Sequence, residues 1–235
     1  MSITRKLTFG GGVGEQAFFD FAVEKGNTTA TIVSPSIPIS YSSGDTVIVF
    51  GGMASSTATN HNKAVFQSAL SNGTTAESLL DIREVSLSNE LLFAKATRFV
   101  ASVSATSLTI SLRGDASLAL NDYMIIVIVV SGYTYSSQAN ASANSSTSIT
   151  ATDTKNGLAI GNVQLQMSMC SQTPSSLSVA NNNGDTDEPV VTEEVQGVAM
   201  ATVTAAEAAA ATSQVSATAT SGSTSTMSLI VAKLV

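Results

Sequence analysis

NDYMIIVIVVSG, residues 121–132, sets seven consecutive apolar residues, Met124 to Val130, between an Asn-Asp pair and a glycine. The run is far shorter than the about 20 apolar residues of a membrane-spanning helix. It is rich in Ile and Val, whose branched Cβ suits a pleated sheet. A strand that is apolar at every position, not at every second one, is covered on both faces. GDTVIVFGG (44–52) has the same form: a Gly44-Asp45 turn pair, a β-branched run, and glycine as the stop. In a two-layer sandwich the opposite sheet covers one face. The second cover comes from a loop, from the N-terminal segment or from a neighbouring subunit, and the pattern does not choose among them.

Elsewhere the apolar residues alternate. Leu108, Ile110 and Leu112, then Phe99, Ala101 and Val103, and then Val163, Leu165, Met167 and Met169 each recur with a period of two. That spacing puts them on one face of a sheet and Gln164, Gln166 and Ser168 on the other, as in half-buried strands. Three segments read as helical: KAVFQSALSN (63–72), AESLLDI (76–82) and the Ala-rich TAAEAAAATS (204–213). YSSQANASANSSTSITATDT (135–154) reads as an exposed Ser/Asn-rich loop. The stretches around it, about 36–134 and 150–235, look like similar halves. Each opens with a turn and an apolar strand and closes on a strongly apolar one, YMIIVIVV or MSLIVAKLV. The expected fold is all-β, a jelly-roll-like β-sandwich with one or two short helical inserts. Residues 1–35 form an N-terminal arm or a first strand segment, and 36–235 form one sandwich domain. A half of about 80 residues is too small to cover both faces of such strands by itself.

Charged residues make up 11% of the chain, against roughly 25% in ordinary soluble domains. Ser, Thr, Asn and Ala take their place, and the net charge is −7. Nucleic-acid affinity draws on Lys and Arg, and Arg5-Lys6 is the one adjacent basic pair. Neither nucleic acid nor membrane insertion is expected. MSITRKLTFGGGVGEQAFF has no unbroken apolar segment of the signal-peptide kind. An extracellular style of surface on a chain made in the cytoplasm without a signal peptide fits a virus particle.

The order of segments carries a resemblance. After GDTVIVFGG and a long connection come TSLTISLRGDASLALNDYMIIVIVVSGYT (106–134), ATDTKNGLAIGNVQLQMS (151–168) and TSQVSATATSGSTSTMSLIVAKLV (212–235). Over about residues 40–235 this is similar to a diffuse group of β-sandwich proteins of bacteriophages and bacterial surfaces. The resemblance implies a non-enzymatic structural protein of a virion, on a phage head as capsid decoration or on the tail surface. It would act as a homo-oligomer, such as a trimer, alongside other virion proteins. The alternative is a receptor- or glycan-binding module, as on a tail tip or a bacterial adhesin.

The residues offer little chemistry. His61 is the only histidine and Cys170 the only cysteine. A catalytic triad would have to use that histidine, and zinc takes about four ligands. An exposed loop His61 and a small buried Cys170 are the expected roles, so no catalytic residue and no cofactor is expected. FGGGVG (9–14) lacks the Lys-Ser/Thr of a phosphate loop and reads as a hinge. The acidic stretch NNNGDTDEPVVTEE (181–194) makes Asp185, Asp187 and Glu188 weak candidates for calcium, a cation that takes oxygen ligands. Phe18, Phe19 and Phe21 in QAFFDFAV are either contacts of an arm with a neighbouring subunit or an ordinary first strand packed in the core.

Overall fold

The computed structural model describes residues 3–9, 17–27, 32–55, 65–67, 77–85, 91–113, 122–171, 176–185, 188–195 and 199–235. They form an all-β sandwich of antiparallel strands. The first sheet runs in the order β1 (Ile3–Phe9), β2 (Ala17–Asn27), β11 (Asp122–Ser131), β5 (Thr46–Ser55), β8 (Leu91–Val100) and β7 (Glu77–Val85). The second runs β12 (Tyr135–Asp153), β17 (Val215–Leu234), β13 (Val163–Ser171), β16 (Ala199–Glu207) and β15 (Glu188–Val195), with β14 (Leu177–Asn181) also paired to β17. Short strands complete the described residues. β10 (Ser111–Arg113) lies between β3 (Ile32–Val33) and β6 (Val65–Gln67), and β4 (Ser36–Ile37) pairs with β9 (Leu108–Thr109).

The apolar run of β11 occupies the middle of the first sheet, and its two faces enter different interiors. Met124, Ile126, Ile128 and Val130 join Phe21, Val23, Ile48 and Phe50 against Val163, Leu165, Met167, Val203 and Ile230 of the second sheet. Ile125, Val127 and Val129 face outward with Val47 and Val49. There they meet Ile37, Ile39, Tyr41, Leu108 and Ile110. The second cover is therefore the chain itself, in the segments around β4 and β9. All seven residues from Met124 to Val130 are at most 2% exposed. Full burial of an aliphatic side chain of this size contributes roughly 1.5–3 kcal/mol.

A third interior lies beyond the second sheet, because β17 doubles back on itself. Gln164 is in register with Lys233 near the end of β17. Its Nε2 nevertheless donates to the carbonyl of Ser216, near the start of the same strand, at 2.7 Å. The early residues Val215, Ala217 and Ala219 thus share one interior with the late ones Met227, Leu229 and Val231, together with Cys170 and Val179. The fold falls where β12 and β17 lose register, between Ala143 and Ser148. Ser145 there has a φ of 58°. Serines knit the other strand of the bend: Ser221 Oγ donates to the Ser223 carbonyl at 2.6 Å and accepts from Ser225 Oγ at 3.1 Å.

Several sequence expectations are corrected. Residues 135–153 are a 19-residue strand, not a loop, paired along β17. Ser, Thr and Ala are small enough to fit between closely layered sheets, and Ala139, Ala141 and Ala143 pack against the third interior. Residues 77–82 of AESLLDI lie in strand β7, and Ala76 lies outside the described residues. Of the Ala-rich segment, 204–207 end strand β16 and 208–213 are a connection; pairing with β13 outweighs the intrinsic preference of a stretch too short to be helical by itself. Val65–Gln67 of KAVFQSALSN are strand β6, and the rest of that segment lies outside the described residues. No helix occurs among the described residues. Strand β5 does not stop at its glycines but runs through Gly51 and Gly52 to Ser55. Strand β13 is buried on its polar face as well. There Gln166 Oε1 accepts from Thr204 Oγ1 at 2.8 Å and Ser168 Oγ donates to the Ser228 carbonyl at 2.8 Å.

Candidate functional site

Cys170 sits on β13 with no exposed surface. Burial pushes its thiol up to about 12, so the nucleophilic thiolate is scarce at neutral pH. His61 and residues 10–14 of the glycine-rich stretch lie outside the described residues. Phe21 is 2% exposed and lies in the interior between the two sheets. It is packed inside its own chain because β2 is the immediate neighbour of β11. By register Phe18 stands opposite Ser131 and Phe19 opposite Val130.

In the acidic stretch, Asp185 works as a clasp. Its Oδ1 accepts the backbone N–H of Ala209 at 3.0 Å, and its carbonyl accepts Nδ2 of Asn181 at 2.7 Å. Asn181 Oδ1 in turn accepts the Asn183 and Asp185 N–H groups at 3.0 and 3.2 Å. Asp187 is outside the described residues, and Glu188 begins β15. Glu193 is committed elsewhere: Lys25 Nζ on β2 donates to its Oε2 at 2.7 Å and to the Glu194 carbonyl at 2.7 Å. This ion pair ties the two sheets together. Among the described residues no three of His, Cys, Asp and Glu converge in a group fit for a metal.

The structure brings together a different set. A cleft of about 190 Å³ lies where β2 and β11 meet the turn at 40–45. Its polar lining is Asp20, Ser40, Tyr41, Ser42, Asp45 and Ser131, beside Val129. The turn is firmly built. Ser42 N–H donates to Asp45 Oδ2 at 2.7 Å, Gly44 N–H to the Ala101 carbonyl at 2.8 Å, and Ala101 N–H to the Asp45 carbonyl at 2.8 Å. Gly44 has a φ of 97°, a backbone shape that side chains rarely take. Tyr41 exchanges both backbone hydrogen bonds with Ala105 and sets its ring edge-on to Phe99, 6.3 Å between centroids. It is 4% exposed, and its Oη has no hydrogen-bond partner.

Sequence reasoning missed this set because its members are distant in the chain. Gly44-Asp45 read only as a turn that starts a strand. In QAFFDFAV the phenylalanines drew the reading and Asp20 did not, because nothing in the sequence places it near Asp45.

No family model, no curated protein and no solved structure matches the chain.

Proposed function

We propose that the protein is a non-enzymatic structural protein of a virus particle, carried on a phage head as decoration or on the tail surface, and working through contacts between subunits. The observation that carries this reading is the sealed layering of sheets beneath a surface poor in charge. The interiors on both sides of β11 are filled by the chain itself. The long β12–β17 ribbon pairs Thr150 with Thr218 and Thr152 with Ser216 through side-chain hydroxyls, at 2.9 and 2.8 Å. Rigid sheets with inert hydroxyl surfaces suit a protein whose work is fitting against copies and companions. Strands β1, β7, β12 and β15 end their sheets among the described residues. Edge strands offer unpaired backbone groups to a neighbour.

Quantitative proteomics of purified particles tests this. Hundreds of copies per particle are expected for a head component and a handful for a tail component, and absence from particles overturns the proposal. A receptor- or glycan-binding module is the second reading, favoured by the oxygen-lined cleft at Asp20 and Asp45. A glycan array run with and without chelator separates the two.

A further inference from the structure

We infer that the cleft between Asp20 and Asp45 is a low-affinity site for a hard divalent cation of the calcium type, apart from the acidic stretch at 181–194. The polar side chains that line it carry oxygen alone: two carboxylates, three serine hydroxyls and a phenol. Hard cations take six to eight such oxygens, and water completes the shell where the protein supplies only some. Asp45 spends one carboxylate oxygen, Oδ2, on the Ser42 N–H, a bond that fixes the group in place. Asp20 lies on β2 opposite Val129, on the same face of the sheet as Ala22, so its side chain points towards the turn that carries Asp45. Register also places Lys6 of β1 opposite Asp20.

Tyr41 supplies an independent observation. A buried hydroxyl without a partner is costly, and such groups are rare in folded proteins. Tyr41 belongs to the lining of this cleft, is 4% exposed and has an unpartnered Oη. A water held by a cation between the two carboxylates supplies that partner. Two carboxylates make a weak site, so binding in the range of about 0.1–1 mM is expected, as in extracellular modules.

Terbium, a luminescent stand-in for calcium, tests the site in the full chain. Excitation of tyrosine is expected to sensitise terbium emission through Tyr41, and excess calcium is expected to displace it. Asp20→Asn and Asp45→Asn should each weaken terbium binding at least tenfold. Asn at 45 keeps an oxygen for the Ser42 N–H, which preserves the turn. Tyr41→Phe should remove most of the sensitised emission while calorimetry still detects calcium with an affinity within about fivefold of the original. Emission that is absent, or that survives both Asn variants unchanged, overturns the inference. Circular dichroism and thermal melting without metal check that each variant is folded. If Asp45→Asn does not fold, Asp20→Asn decides alone.

Discussion

Cys170 shows how far burial alone can silence a reactive group. The thiol titrates near 9 when exposed and at about 12 in the fold. Below pH 9 both the folded and the unfolded chain hold the proton, so the thiol does not make stability depend on pH there. Between 9 and 12 the unfolded chain releases the proton and the native one keeps it, so stability falls as pH rises. The slope from this group approaches about 1.4 kcal/mol per pH unit. Urea melts from pH 8 to 10.5 should therefore fall more steeply for the wild type than for Cys170→Ala. A water-soluble disulfide reagent at pH 8 should find no thiol until denaturant is added, and then one per chain. Gly51 makes a second case. It lies opposite Ile125 in the ladder, and a Cβ there would collide with the backbone carbonyl of Met124. Gly51→Ala should cost about 2–3 kcal/mol, read as a shift in urea midpoint. The sequence shows this glycine but only as a strand stop, because a close backbone approach depends on which strand lies alongside.

At the scale of elements, the informative contrast is between β11 and β12. The first was legible because apolar residues at every position from Met124 to Val130 admit one economical explanation, a strand covered twice. The second was not, because Ser, Asn, Ala and Thr serve equally well in a loop and in a strand beside a close neighbour. What makes β12 a strand is pairing with β17, a segment more than 60 residues away in the chain. Hydrogen exchange followed by mass spectrometry distinguishes the two states. Peptides within 137–143 and 148–153 should hold about half of their amides for minutes or longer, as expected of a strand paired on one side. Complete exchange within seconds would mean a loop. Strand β13 teaches the same lesson: its alternation correctly located one buried face, while burial of the other depends on β17 folding back over it.

For the whole molecule, the central interior draws on both halves of the chain, Phe21 to Val130 from one and Val163 to Leu234 from the other. Neither half can open without exposing the other, so equilibrium unfolding should be one cooperative step. Ile126→Ala in the first sheet and Met167→Ala in the second should each cost about 2–5 kcal/mol and move that single transition to lower urea. Two separable transitions, or a substitution that shifts only part of the signal, would contradict a shared interior. The candidate cleft belongs to this scale too. Asp20 and Asp45 line one cleft because β2 and β5 flank β11 on opposite sides and the turn at 40–45 leads into β5.

The sequence by itself determined the all-β class, the strands that need two covers and the poverty of charge, because side-chain periodicity and composition report directly on local burial. Tertiary structure alone decided what supplies the second cover, that a serine-rich segment is a strand, and which distant carboxylates share a cleft. Those outcomes depend on backbone pairing and layer order, which no single segment encodes.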